Sequence, residues 1–98
     1  MTEWANPRQR VWFRLKPGLT REAAFDAAAG LLLRHKPDGA GIYSFSIYPS
    51  GEGGSDDPQV VTFMWELMFL CDDKRGWDWG HERQSELAAI LERELGAS

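Results

Sequence analysis

A single cysteine, Cys71, excludes an intramolecular disulfide in this 98-residue chain. The chain is therefore not one of the small secreted domains that replace a core with crosslinks, and a reducing compartment is expected. Long hydrophobic runs are missing too, since the longest falls well short of the ~20 apolar residues that span a bilayer. Met1-Thr2-Glu3-Trp4-Ala5-Asn6-Pro7 has no basic segment followed by an apolar one, so no export signal is read there. The expectation is a cytoplasmic protein without a membrane span. No internal repeat, coiled-coil heptad or reaction-naming motif is evident, and the residues carry no resemblance to a known sequence family.

What the chain does have is apolar and aromatic content, 43% and 12%, with five tryptophans. In so short a chain this supplies one hydrophobic core and not two, so residues 1–98 are read as a single domain. The net charge of −4 is unevenly spread. Residues 1–51 carry seven Lys/Arg against four Asp/Glu, and residues 52–98 carry four against eleven. Duplex binding relies on Lys and Arg neutralising phosphates, so an acidic second half argues against nucleic acid as a partner. The same charge suits a basic protein surface.

Val11, Phe13 and Leu15 alternate with Trp12, Arg14 and Lys16, which predicts a half-buried strand over residues 10–16 ended by Pro17-Gly18. Thr20 is placed as an N-cap with Glu22 in the first turn of a helix over residues 21–35. Its stripe is Phe25, Ala28 or Ala29 and Leu32, widened by Ala24, Leu31 and Leu33, with Gly30 expected to allow close approach to a sheet. Pro37 stops the helix at Lys36 and Gly39 takes the turn.

A second strand is predicted over residues 42–48, with Tyr43, Phe45 and Ile47 on one face and Ile42, Ser44, Ser46 and Tyr48 on the other. Residues 50–58, rich in Gly, Ser, Asp and Pro, read as a flexible hairpin loop. The third strand, residues 59–71, is apolar on both sides, which points to the middle of the sheet. Asp72 to Gly76 read as a turn, and a second helix is expected from near Asp78 to Leu95, with Leu87, Ala88, Leu91 and Leu95 on its stripe and Ile90 at the edge. The order β-α-β-β-α predicts an α+β fold: a three-stranded antiparallel sheet, third strand central, with two helices packed on one face. That is the ferredoxin-like split pattern without its last strand, a comparison of architecture alone.

Two surfaces stand out as candidates for partner binding. One is the sheet face away from the helices, with Trp12, Arg14, Lys16, Ser44, Ser46, Tyr48, Thr62, Met64, Glu66 and Met68, a mixture typical of recognition surfaces unless the segment around Trp4 covers it. The other is the start of the second helix, where Trp77 and Trp79 bracket Asp78 and lead into Glu82, Glu86, Glu92 and Glu94. Chemistry finds less support. Cys71 with His81 or His35 is the minimum for a thiolate and base, but no context supports it. Asp56-Asp57 and Asp72-Asp73 lack a diagnostic metal-ligand spacing. Gly51-Glu52-Gly53-Gly54 lacks the Lys-Ser/Thr of a phosphate loop.

No catalytic, cofactor or metal residues are therefore assigned. The expected function is a small acidic, non-enzymatic interaction module, an adaptor or inhibitor that binds a basic surface of a larger protein. A phage-type inhibitor that mimics nucleic acid is one version, and it needs a continuous stripe of carboxylates. The alternative is a homodimeric small-molecule-binding domain or enzyme subunit that uses the open sheet face.

Overall fold

The computed structural model describes residues 3–48 and 57–97. Along the chain run β1 (Glu3–Ala5), β2 (Arg8–Arg14), α1 (Arg21–His35), β3 (Gly41–Tyr48), β4 (Val60–Cys71) and α2 (Lys74–Leu95). The fold is α+β, an antiparallel sheet with helices on one side. β4 is central: β1 and β2 pair with one edge and β3 with the other. Its apolar residues on both sides earn it that place.

β1 and β2 are one strand in two pieces. Ala5 opposite Phe69 and Arg8 opposite Glu66 belong to the same register, which sets Pro7 opposite Leu67. Leu67 donates its N–H to the Pro7 carbonyl at 3.1 Å. The return bond is missing because proline has no N–H, and this divides the strand without displacing it. The sequence pattern placed the first strand at residues 10–16. The observed strand begins earlier, and the segment around Trp4 extends the sheet edge and does not cover the face.

Thr20 caps α1 as expected, its hydroxyl oxygen accepting from the Ala23 N–H at 3.1 Å. Lys36 leaves the helix in extended geometry before Pro37, and Gly39 takes a left-handed φ of +84°. Ala24, Ala28 and Leu32 form the buried stripe. Gly30 and Leu33 face outward, so the alanines, and not Gly30, provide the close approach to the core.

α2 starts four residues earlier than the pattern suggested. Asp73 is its N-cap, its Oδ1 accepting from the Gly76 N–H at 3.0 Å. That bond outweighs the low helix propensity of Gly76. The buried stripe is Gly80, Gln84, Leu87, Ala88, Leu91 and Leu95. Gly80 is required by packing: a Cβ there would lie 2.3 Å from the Phe69 ring. After α2, Gly96 forms an antiparallel bridge with Leu15, and Ala97 donates its N–H to the Arg14 carbonyl at 2.8 Å. The chain thus touches the outer edge of β2, where a ferredoxin-like split fold sets its fourth strand.

The core lies between sheet and helices. Val61, Phe63, Trp65 and Leu67 are fully buried. Four rings cross the layers: Phe13 to Phe63 at 5.6 Å, Phe63 to Phe45 at 6.1 Å and Phe45 to Phe25 at 4.7 Å between centroids. Within this apolar core sits one polar bridge. Gln84 is fully buried, its Oε1 accepting from Trp65 Nε1 at 2.6 Å while its Nε2 donates to the Pro7 carbonyl at 2.8 Å. Both lone pairs of that carbonyl are engaged, by Leu67 and by Gln84, as burial of polar groups requires.

Candidate functional site

Alternate residues of a strand point to opposite sides, so the face of β4 away from the helices carries Thr62, Met64, Glu66, Met68 and Leu70. Register supplies their neighbours in rows across the sheet. Trp12, Thr62 and Tyr48 form one row, Arg10, Met64 and Ser46 the next, then Arg8, Glu66 and Tyr43. Met68 stands beside Gly41, and Trp4 beside Leu70. Among the described residues seven large hydrophobic side chains are markedly exposed, and five of them, Trp4, Trp12, Tyr43, Tyr48 and Leu70, belong to this face.

The placement of Tyr43 corrects the sequence pattern, which set it toward the helices and Ile42 away from them. The register of β3 on β4 shifts between Tyr43 and Ser46, so that Ser44 and Phe45 together oppose Trp65. Ser44 adopts a left-handed φ of 56° at this bulge. Period-2 alternation is interrupted there, which turns Ile42 to the core and Tyr43 outward beside Glu66. Lys16, also expected on this face, lies beyond the end of β2.

Charges on the open face are matched locally. Glu66 Oε1 accepts from Arg8 at 3.1 Å and its Oε2 from Asn6 Nδ2 at 3.2 Å, so both oxygens of this half-buried carboxylate have donors. Arg14 pairs with Asp57, whose Oδ1 also accepts from the Gln59 N–H at 2.9 Å. At one end of the face a notch of about 250 Å³ opens between Trp4 and Tyr43, floored by Met68 and the side-chain-free Gly41.

Of the ten candidate partner-binding residues, Trp12, Arg14, Tyr48, Met64, Glu66 and Met68 come together on this face. The other four, Trp77, Trp79, Glu82 and Glu86, lie on α2 in the opposite layer. The two tryptophans are inside the helix and not in a loop before it. Trp79 packs edge-on against Phe69 at 5.4 Å, with the Arg83 guanidinium 5.9 Å from its ring centre. Trp77 is exposed and meets only the His81 ring, edge-on at 5.1 Å, among the ring contacts of the described residues. The glutamates alternate with arginines. Arg83 pairs with Glu82 at 3.4 Å and with Glu86 at 3.0 Å, and Arg93 pairs with Glu94 at 3.1 Å. Near the start of α2, Asp78 accepts from Lys74 Nζ at 2.8 Å, and this bond raises the ammonium pKa above its ordinary 10.5. The outer side of α2 is acidic but interrupted, which differs from the continuous stripe that nucleic-acid mimicry needs.

Cys71 lies at the end of β4 beneath the start of α2, with its Sγ 3.0 Å from the Asp73 carbonyl and in the way of any Cβ at Gly76. The loop reading and the Gly51–Gly54 reading fall largely outside the described residues, as does Asp56. Among the described residues no three His, Cys, Asp or Glu side chains gather as metal ligands, and no helix is long and apolar enough to cross a membrane.

The sequence pattern missed Trp4, Tyr43, Arg8 and Arg10 as members of the open face. Arg8 and Arg10 were legible, since they continue the alternation of Trp12 and Arg14 by two and four residues toward the N-terminus. No family model matches the chain, and neither a curated protein nor a solved structure is significantly similar to it.

Proposed function

We propose that this chain is a small, non-enzymatic protein-interaction module, an adaptor or inhibitor, that docks through the open face of its sheet. One observation carries the reading: five of the seven exposed large hydrophobics of the described residues share that face. Surface apolar residues scattered singly need no explanation, whereas a contiguous set flanked by polar groups marks an interaction surface. Trp, Tyr, Met and Arg are also the types enriched at the centres of protein interfaces. The acidic outer side of α2, with Glu82, Glu86, Glu92 and Glu94 exposed, adds charge suited to steering toward a basic surface of a larger partner.

A small-molecule-binding domain of this architecture would need a pocket between sheet and helices, near Trp65 and Tyr43. Beside Trp65 that space is filled, since Trp65 is fully buried with its indole N–H held by Gln84 and Tyr43 points away; the cleft of about 500 Å³ between α1 and β3, lined by Arg21, Glu22, Phe25, Asp26, Ile47 and Tyr48, lies apart from both. This packing supports the protein-binding reading.

The test is affinity capture from native lysate at low and high salt, comparing the natural chain with Met64→Asp/Met68→Asp and with Glu86→Lys/Glu92→Lys. The expected result is a stoichiometric partner lost with the first pair, and weakened by the second in a salt-dependent way. Capture indifferent to Met64 and Met68 in a folded variant would overturn the docking surface. Capture indifferent to salt and to the charge reversals would overturn the steering role of α2.

A further inference from the structure

We infer that the occupant of the open face is a second copy of this chain, stacked sheet against sheet about a twofold axis running along β4. The inference rests on the reading of that face as a docking surface and names a second copy as its occupant, which leaves the exposed acidic side of α2 as the surface that meets a larger basic partner.

Charge distribution is the first argument. A chain of net charge −4 repels its own copy unless the copies meet where the charge is not. The open face is such a place. Among the described residues, its carboxylates Glu66 and Asp57 are matched by Arg8 and Arg14 within the chain. Asp78, Glu82, Glu86, Glu92 and Glu94 sit on the exposed side of α2, in the layer behind the sheet. Stacking two sheets sends both acidic layers outward, separated by the full thickness of the pair. The same pairing argues against a nucleic-acid strand on this face, because two of its arginines already have carboxylate partners and phosphates need such cations.

Shape is the second argument. The β1–β2 side is bulky and cationic, with Trp4, Arg8, Arg10 and Trp12, whereas the β3 side is slimmer and uncharged, with Gly41, Tyr43, Ser46 and Tyr48. An axis along β4 brings each side over the other side of the second copy. Trp12 then meets Tyr48, and Arg8 meets the Tyr43 ring. Arg10 lies over the small Ser46, and Trp4 enters the notch beside Gly41. Met64 and Met68 meet their own counterparts at the axis and supply adaptable packing. A twofold interface of this kind requires one patch to be self-complementary, and this patch is.

Area is the third. From Trp4 to Arg14 the face is about 34 Å long, and three strands make it about 14 Å wide. The plane alone is roughly 500 Å² per copy, so the pair buries about 1,000 Å² before side-chain relief is counted, at the lower end for a specific interface.

The experiment is sedimentation equilibrium of the natural chain from about 1 to 100 μM, with iodide quenching of tryptophan fluorescence over the same range. A dimer of twice the 11.1 kDa chain mass is expected, with Trp4 and Trp12 losing access to iodide as it forms. Met64→Asp should weaken the dimer about 100-fold with the circular dichroism of the monomer retained. Trp12→Glu and Tyr48→Lys should each be monomeric alone and associate when mixed, because the axis sets position 12 of one copy over position 48 of the other. A natural chain that stays monomeric at 100 μM overturns the inference. If lysate capture still depends on Met64 and Met68 in that case, the docking surface stands with another protein as its occupant; loss of both overturns the surface as well. A dimer in which the mixed variants do not associate overturns the proposed axis.

Discussion

β4 is a single strand with one wholly apolar side, a second that is apolar except for Thr62 and Glu66, and two different fates. Toward the helices, Val61, Phe63, Trp65 and Leu67 are sealed under α1, α2 and the flanking strands. Toward the outside, Met64 and Met68 are half-buried and Leu70 is exposed, with Trp4, Trp12, Tyr43 and Tyr48 standing around them. Both sides carry apolar surface that gains by leaving water; the helix side is sealed from Val61 through Leu67, whereas on the outer side only Val60 and Thr62 are buried among the described residues of β4. A strand apolar on both sides therefore reports two covers, and the fold supplies one of them.

The comparison is broken most directly by making the same substitution on each side. Trp65→Ala should destabilise the domain by about 3–5 kcal/mol, since it opens a cavity and leaves Gln84 without its donor. Trp12→Ala should stay within about 0.5 kcal/mol in thermal or urea unfolding of the monomer. Comparable losses at the two positions would mean that the open face is part of the core.

Next in size is Gln84→Leu, which strips the Trp65 indole and one lone pair of the Pro7 carbonyl of their partner. A loss of about 1–3 kcal/mol is expected from denaturant midpoints. A neutral result would show that apolar filling compensates the lost bonds, as replacing buried polar groups sometimes does.

Gly80→Ala sharpens the contrast between the two layers. The added methyl group collides with the Phe69 ring, and overpacking of this kind should cost about 1–3 kcal/mol. Gly30→Ala, where a Cβ meets open space, should instead stabilise α1 by up to about 1 kcal/mol through helix propensity. Opposite signs for these two Gly-to-Ala changes are the outcome to look for in thermal unfolding.

The smallest expected effect is on the outer strand. Ser44 holds a left-handed φ that glycine adopts at no steric cost, so Ser44→Gly should stabilise by at most about 1 kcal/mol. Destabilisation would mean that the serine side chain contributes more there than its backbone costs.

Much of this architecture was legible because the hydrophobic pattern and the punctuation agreed. Thr20, Pro37 and Gly39 marked the ends of α1, and apolar residues on both sides of β4 placed it at the centre. What escaped notice lacked a local signal. Asp73 is an ordinary residue until its side chain is seen accepting from Gly76, so the start of α2 was read too late. Gln84 falls three residues before Leu87 and seven before Leu91, squarely on the stripe, but a polar residue there is counted against burial until both of its partners are known. Trp4 lies across Pro7 from the rest of its strand, and only the shared register shows that the two pieces are continuous. Alternation sets Trp12, Arg14, Met64, Glu66 and Met68 on the outer side, where the structure has them, but it stops short of Arg8 and Arg10, runs past the end of β2 at Lys16 and fails at Tyr43, where it is interrupted.

That break at Ser44 has a simple arithmetic. Leave Ser44 out, and Ile42, Phe45 and Ile47 alternate without fault against Tyr43, Ser46 and Tyr48, each side chain on the side it occupies now. One residue has been accommodated as an insertion, absorbed where it stands, while the ladder on either side keeps its assignments. A chain lacking Ser44 should fold to the same topology with a straighter β3, and two such sequences compared position by position would look out of phase across half a strand although their surfaces are the same.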